Sequence, residues 1–172
     1  MSQQTQNLMK KISLGKVILN MGVGKSGEPI EIGKKALGQI TGKKPNARNA
    51  KKSQRDWGIR KGEPIGVAVT VRGNDATELL KKLLVVKDNK IAEKAFDNEG
   101  NMSFGIKEHI DIPGIKYDPK IGILGLEVSV SLARPGFNIK FNKSKAKVGK
   151  NHRITKNDAI KFLTEEFGVK VV

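Results

Sequence analysis

Three stretches of the chain combine β-branched or aliphatic residues with the two-residue alternation that is typical of β-strands. In one of them the apolar side chains share a face, which leaves Thr70 and Arg72 on the other face. A fourth, less regular strand is predicted at Ser103–Ile112, where Pro113 and Gly114 end it. The three clearer strands are predicted at Lys16–Val23, Ile65–Arg72 and Gly125–Ala133.

Three helices are predicted by apolar residues that recur every three or four positions. Asn74 or Asp75 is expected to cap the second helix, and Thr155 with Asp158 resembles the capping box that opens the third. The polar, basic stretch Lys43–Gly62 predicts an extended segment followed by a long loop. The helices are expected from about Gly27 to Thr41, from about Ala76 to Val86, and from Lys156 to Phe167, where Gly168 ends the last one.

The order of these elements is strand, helix, strands, helix, strands, helix, which predicts the α+β class. We expect a mostly antiparallel sheet with helices packed on one face. A sheet covered on one side can keep its other face polar and available to a ligand. A length of 172 residues suits a single domain.

Positive charge is concentrated in two segments. The chain carries 33 Lys and Arg against 17 Asp and Glu, a net charge of +16 at pH 7. Residues 32–55 hold eight basic side chains, residues 128–157 hold another eight, and neither segment contains an acid. Blocks of one sign repel themselves on folding, so they favour a polyanionic ligand. A role in solubility and binding to a membrane surface stay open as alternatives.

Composition argues against several classes of protein. The absence of Cys excludes disulfides and thiolate metal sites. No run of about 18 apolar residues is present, so no membrane span is expected. The polar segment Met1–Met9 holds no apolar signal-peptide core, which favours a soluble intracellular protein.

One glycine-rich segment imitates nucleotide-binding motifs. Gly22–Gly27 fits G-x-G-x-x-G after a strand and before a helix, but the acid required about 20 positions later is missing. Its Gly-Lys-Ser also resembles the end of a phosphate-binding P-loop, although Leu19 stands where that motif needs Gly. Neither match predicts a cofactor.

Candidate catalytic and metal-binding residues are few. His109, in a predicted strand, and His152, in the second basic segment, are far apart and are expected to pack or to contact phosphate. Asp97, Glu99 and Asp111 match no metal-loop spacing. The sequence therefore predicts neither an enzyme nor a metal site.

Aromatic residues are scarce as well. Trp57 is the only Trp and Tyr117 the only Tyr, so the sheet lacks the stacking platform of many single-strand binders. Recognition of RNA would then depend on folded shape, phosphates and 2′-hydroxyls. Trp57 stands in a glycine-flanked basic loop, where it either covers the sheet edge or lies exposed as a contact.

Several sequence blocks follow one another in a recognisable order: Val17–Gly24, Thr41–Pro45 with Ala50–Ser53, Ile59–Gly66, Thr70–Gly73, Phe96–Asn101 and Gly105–His109. Together they resemble the universal large-subunit ribosomal protein five family. They cover about residues 8–133 in the family's order. The segment from Arg134 onward resembles the archaeal members and their eukaryotic relative, large-subunit protein eleven, which indicates an archaeal source.

This resemblance implies a structural protein of the cytoplasmic ribosome. Members of the family have an α+β fold, bind 5S ribosomal RNA and help to attach it in the central protuberance of the large subunit. They contact a small-subunit head protein as an intersubunit bridge, and a long loop can reach transfer RNA in the peptidyl site. Large-subunit rRNA and neighbouring central-protuberance proteins are the other expected partners. Bridge residues are expected around residues 97–101 and 112–120.

The family's pattern also implies three groups of site residues. Asn20 and Thr70 match positions on RNA-facing strands, while Lys43 falls where many members have Gln, which can both donate and accept. The loop at residues 53–58 matches the transfer-RNA-reaching loop in position only. The 5S rRNA group is Asn20, Met21, Gly22, Lys43, Lys44, Thr70 and Arg72. The transfer-RNA loop is Lys51, Lys52, Ser53, Gln54, Arg55, Trp57 and Arg60. The arm to rRNA is Lys140, Lys143, Lys145, Lys147, Lys150 and Arg153.

The whole chain is expected to form one ribosomal-protein domain over residues 1–172. Its core covers about residues 8–133, and the basic arm with the terminal helix covers about residues 134–172. The arm is predicted to be extended, and disordered when the protein is free. Two other classes stay open: a DNA-binding or chromatin-type protein, and a nucleotide-dependent enzyme built on Gly22–Gly27.

Overall fold

A computed structural model describes residues 7–24, 26–141 and 146–172. Within these residues, five strands form one antiparallel sheet with β1 at its centre, in the order β2-β3-β1-β6-β5. A further strand pair, β4 with β7, is parallel and lies outside this sheet. The strands are β1 (Ser13–Gly22), β2 (Asn46–Asn49), β3 (Pro64–Val71), β4 (Lys90–Ile91), β5 (Met102–Ile106), β6 (Leu126–Ala133) and β7 (Lys170–Val171).

Three α-helices in the same described ranges supply the rest of the core: α1 (Glu28–Thr41), α2 (Asn74–Val85) and α3 (Lys156–Phe167). Their buried residues join those of the sheet in one apolar cluster. The cluster includes Leu37 of α1, Leu80 of α2 and Leu163 of α3, none of which is exposed. The predicted α+β class, an antiparallel sheet with helices packed on it, is therefore confirmed.

Alternation along the strands divides the sheet into two faces. In β1, Val17 and Leu19 are fully buried towards the helices, while Ile18 and Asn20 lie on the opposite side and are half-buried. In β6, Glu127 is likewise exposed between buried neighbours. We call this second side of the five-stranded sheet the open face.

The last helix follows its sequence prediction closely. Thr155 accepts a hydrogen bond from the Asp158 amide, and the Asp158 carboxylate accepts one from the Thr155 amide, both at 3.3 Å. This is the predicted capping box. Gly168, with φ of 66°, then ends the helix in the left-handed conformation that glycine adopts without strain.

Two local predictions are wrong. Gly73 rather than Asn74 or Asp75 is the cap of α2, and no side chain among the described residues caps that helix end. The strand predicted at Ser103–Ile112 ends at Ile106, and His109 starts a short 3-10 turn.

Beyond the end of that strand, His109 is bonded to Leu124 in a way that differs from a regular strand pair. The Nδ1 atom of His109, whose side chain is buried, accepts a hydrogen bond from the Leu124 amide at 3.3 Å. The His109 amide donates to the Leu124 carbonyl at 3.0 Å. The ring nitrogen, rather than a main-chain carbonyl, is the acceptor for the Leu124 amide. His109 therefore packs inside the protein, which is one of the two roles expected for it.

None of the described helices is long and apolar enough to span a membrane.

Candidate RNA-binding surface

The centre of the open face is polar but almost uncharged. Asn20 in β1 lies between Ala68 in β3 and Glu127 in β6, and Ile18 lies between Thr70 and Ser129. These strand partners therefore bring together Asn20 and Thr70, the two positions that the family resemblance marks as RNA-facing. The exposed or half-buried side chains on this face include Lys16, Ile18, Asn20, Asn46, Arg48, Thr70, Ser103, Glu127, Ser129 and Ser131.

An amide–carboxylate pair stands on the open face where β6 begins, between the two inner strands β1 and β6. The Nδ2 atom of Asn20 donates to Oε2 of Glu127 across 3.3 Å. The two residues are direct partners in the antiparallel pairing of β1 with β6, which places their side chains side by side. Donor and acceptor groups are therefore presented together on a rigid strand pair.

Small residues surround this pair. Gly22 and Gly105 are exposed, and a Cβ added at either would meet no heavy atom within 4 Å. Gly66, the partner of Gly22, is buried, and an added Cβ there would come within 3.0 Å of the Met21 carbonyl oxygen. Few side chains rise around Asn20 and Glu127, so a flat polar ligand could approach the sheet closely.

Two of the predicted 5S rRNA residues are engaged inside the protein. Met21 is 1% exposed and packs in the core, because alternation along β1 turns it towards the helices. It does not join the open face. Lys43 is half-buried, and its Nζ lies 2.7 Å from Oδ2 of Asp75 on α2.

The Lys43 contact perturbs its partner. The hydrogen bond from Lys43, followed by its positive charge, holds the pKa of the Asp75 carboxyl below its usual value. Lys44 and Arg72 remain exposed near the same end of the sheet. These two cations are available to a phosphate there, whereas Lys43 is paired with Asp75.

The predicted transfer-RNA loop is an ordered, irregular hairpin rather than a simple loop. Main-chain bonds between Ala50 and Gly62 or Glu63 close its base, and Gln54 pairs with Ile59 near its tip. The Lys61 amide donates to the Ser53 hydroxyl at 2.9 Å. All the predicted residues of this loop are exposed: Lys51, Lys52, Ser53, Gln54, Arg55, Trp57 and Arg60.

Trp57 lies in a 3-10 turn at the tip of that hairpin and is 75% exposed. Of the two roles considered for this residue, covering a sheet edge is therefore wrong, and the exposed position is the one found. A large aromatic side chain held in solvent beside basic residues is suited to stacking.

The basic arm is less extended than expected. The Arg134 guanidinium reaches the Arg153 carbonyl at 3.2 Å, and His152 Nε2 lies 2.8 Å from the Pro135 carbonyl oxygen. Phe137 packs against the core and meets the His152 ring edge-on. The described parts of the arm thus fold against the body, and the prediction of an extended arm is wrong for them.

The cations of the arm differ in availability. Lys140 lies 3.1 Å from Glu99, while Lys147, Lys150 and Arg153 are exposed. Lys143 and Lys145 fall outside the described residues.

Sequence reasoning missed several residues of the open face, although their signal was present. Glu127, Ser129 and Ser131 are the polar members of the clearest alternating strand, and Lys16 lies beside Ser131 in the sheet. Strand alternation alone places the first three on the polar face. What the sequence could not supply was the pairing that sets Glu127 against Asn20.

Comparison with known proteins places these features in one family. Residues 7–60 match the family described as "Ribosomal protein L5", and residues 64–162 match the model for the C-terminus of the same ribosomal protein family. The chain is 66% identical over 172 residues to large ribosomal subunit protein uL5 of Nitrosopumilus maritimus, covering 99% of both chains. It is 48% identical to the uL5 of Pyrobaculum aerophilum, covering 95% of this chain and 92% of that one. For the uL5 of Archaeoglobus fulgidus the identity is 44%, with 96% and 93% covered.

These relatives are archaeal, as the C-terminal resemblance predicted. Proteins of this family are structural constituents of the large subunit that bind rRNA in translation, and they are not enzymes. These proteins are components of the cytoplasmic ribosome. With both family matches and full-length identity of this extent, the chain belongs to the ribosomal L5 family of the large ribosomal subunit.

Proposed function

We propose that the open face is the binding site for 5S rRNA, and that the chain helps to attach this RNA in the central protuberance. The observation that carries the proposal is the gathering of Asn20, Thr70, Ser129 and Glu127 on one uncovered sheet face. Amide, hydroxyl and carboxylate groups can bond base edges and 2′-hydroxyls, which carry the specificity of RNA recognition.

Cations at the margins of that face supply the remaining affinity. Lys16, Lys44 and Arg72 lie on or beside the ends of the strands, and Arg48 lies opposite Gly66 on the edge strand β2. Phosphate contacts of this kind fix position and are sensitive to salt, whereas contacts at the polar centre are less so. The same RNA would therefore meet two kinds of surface.

Two further contacts belong to this proposal. The exposed hairpin at residues 51–61 approaches transfer RNA in the peptidyl site. Trp57 lies at its tip, and five basic side chains lie around it: Lys51, Lys52, Arg55, Arg60 and Lys61. The turn at Asp97–Asn101 and the exposed Tyr117 face a small-subunit head protein as part of the bridge. Asp97 Oδ1 accepts from the Glu99 and Asn101 amides, which makes this turn rigid.

We also propose that the chain is one domain with its basic C-terminal segment directed to rRNA and neighbouring central-protuberance proteins. A single apolar cluster that runs from Val17 to Val169 supports this. Between residues 146 and 153, Lys147, Lys150 and Arg153 are exposed and have no carboxylate partner among the described residues.

Binding of 5S rRNA across a salt series tests the proposal, with a folded RNA of equal length and a duplex DNA as competitors. Asn20→Ala and Thr70→Ala remove polar groups from the open face. Asn157→Ala and Thr164→Ala are matched controls on the surface of α3. We expect a preference for 5S rRNA that persists at high salt and falls only in the first two variants. Equal binding to all three nucleic acids, with one steep salt slope and no effect of the variants, would refute the proposal.

A further inference from the structure

We infer that Glu127 reads a guanine of the bound RNA by accepting hydrogen bonds from its Watson–Crick edge, and that Asn20 positions the Glu127 carboxylate. This inference rests on the proposed 5S rRNA site and names the kind of base contact made at its centre. Three observations carry it: the location of Glu127, its charge, and the open space beside it.

The first observation is the position of Glu127 in the sheet. Glu127 is exposed on the open face, with Asn20 as its partner in β1 and Gly105 as its partner in β5. It therefore lies on an inner strand of the sheet, as the second residue of β6. Any RNA that covers both Asn20 and Ser129 must also cover this carboxylate.

The second observation is the negative charge of Glu127, which restricts the RNA groups that can contact it. No Lys, Arg or His ion pair with Glu127 occurs within the described part of the chain. A phosphate placed against an unneutralised carboxylate would be repelled, more strongly as the interface excludes water. Since an ionised carboxylate only accepts hydrogen bonds, the RNA group that meets Glu127 must be a donor.

Donor geometry selects guanine among the bases. Its Watson–Crick edge presents N1–H and the N2 amino group side by side, and these two donors match the two oxygens of a carboxylate. Cytosine and adenine each place a ring acceptor beside their single amino group, which would oppose the second carboxylate oxygen. Unpaired bases in folded RNA expose this edge for recognition.

Space for a base edge is present. An added Cβ at Gly105 or Gly22 would meet no atom within 4 Å, so neither neighbour blocks an approach along the sheet surface. The Asn20 amide, 3.3 Å from Oε2, engages one oxygen from the side and limits rotation of the carboxylate. Both oxygens keep lone pairs for the base, which makes Asn20 a positioning residue.

The direction in which one substitution changes the affinity for 5S rRNA distinguishes this inference from simple repulsion. Glu127→Gln keeps the shape of the side chain but removes its charge and turns one acceptor into a donor. We expect it to weaken binding of 5S rRNA by about ten- to a hundredfold, the range of one bidentate base contact. If Glu127 only repels RNA, the same substitution will strengthen binding, as the removal of a negative charge from any RNA-binding surface should.

Two controls keep that result interpretable. Glu165→Gln, on the exposed surface of α3, removes an equal charge away from the open face and should leave the affinity for 5S rRNA nearly unchanged. Thermal unfolding of Glu127→Gln should match that of the wild type, because the side chain is exposed.

Interference mapping with inosine identifies the base. Inosine lacks the N2 amino group, so 5S rRNA carrying scattered inosine-for-guanosine replacements reports each guanine separately. We expect at least one guanine whose replacement weakens binding to the wild type but not to Glu127→Gln. The same set of sensitive guanines for both proteins would overturn the inference.

The outcomes for the site and for Glu127 are distinguishable. If the wild type shows no preference for 5S rRNA over the competitor RNA, the proposed site and the inference both fail. If the preference depends on Thr70 while Glu127→Gln binds as tightly as the wild type or more tightly, the site stands and only the role of Glu127 is refuted.

Discussion

The guanidinium of Arg134 and the carboxylate of Asp158 lie 3.2 Å apart, measured from Nη2 to Oδ2, and this contact joins the end of β6 to the first turn of α3. The Arg134 side chain is only 10% exposed and also donates to the Arg153 carbonyl. One buried cation thus holds together the sheet, the basic segment and the last helix.

Replacement of Arg134 should therefore destabilise the fold. We expect Arg134→Met to lower the free energy of unfolding by about 2 kcal/mol, since it removes charged hydrogen bonds while the partly exposed Asp158 can still be hydrated. Urea unfolding measures this change. Arg72→Met, which alters an exposed residue of the same type, should change stability by less than about 0.5 kcal/mol. Equal stability of the two variants would contradict the assigned role.

The capping box of α3 gives a second prediction. Thr155→Ala removes the side-chain acceptor for the Asp158 amide and should cost about 1 kcal/mol of unfolding free energy. Thr164→Ala makes the same chemical change on the exposed side of the same helix, where Ala is a good helix former. We expect this control to be neutral or slightly stabilising. A loss of equal size in both variants would show that the cap is not the cause.

Gly100 should tolerate no side chain. Its φ is 76°, and an added Cβ would lie 2.5 Å from Cγ2 of the buried Ile154. Gly100→Ala therefore combines backbone strain with overpacking, and we expect a loss of at least about 2 kcal/mol. Gly105→Ala, where an added Cβ meets nothing within 4 Å, is the matched control and should unfold like the wild type.

The Lys43–Asp75 pair gives a prediction about pH. Because the pKa of Asp75 is lowered in the folded state, the pair stabilises the fold above the pKa that Asp75 has in the unfolded chain. That contribution is lost as the pH falls through the folded pKa. In Lys43→Met the pKa of Asp75, followed by NMR titration, should rise towards its ordinary value, while Lys44→Met should leave it unchanged.

Stability measurements should show the same linkage. The difference in unfolding free energy between the wild type and Lys43→Met should be greatest near neutral pH and should shrink in acid. A difference that grows as the pH falls would contradict the assigned ion pair.

Local pattern was sufficient for much of the fold. Strand alternation predicted β3 and β6, and the Thr155–Asp158 pair with Gly168 predicted both ends of α3. These features depend on residues close together in the chain. The end of β5 was mispredicted: the chain leaves the sheet after Ile106, and the buried His109 ring accepts a hydrogen bond from the Leu124 amide, an arrangement that no periodicity reveals.

The candidate site was predictable only in part. Alternation and resemblance placed Asn20 and Thr70 on a polar face, but Asn20 meets Glu127 across 107 positions of sequence, and only the strand register creates that pair. The sequence shows that Lys43 is basic, and it was therefore predicted to contact RNA. Its partner Asp75 lies on another element, so its engagement with a carboxylate could not be foreseen.

The central claim is that 5S rRNA covers the open face, and the absence of Cys from the chain allows a direct measurement. Ser129→Cys places one thiol on the open face, and Lys81→Cys places one on the exposed side of α2. The rate of thiol alkylation of each variant would be measured with and without 5S rRNA. We predict strong protection of the thiol at position 129 and none at position 81. Protection at position 81 alone, or equal rates at position 129 with and without bound RNA, would contradict the account.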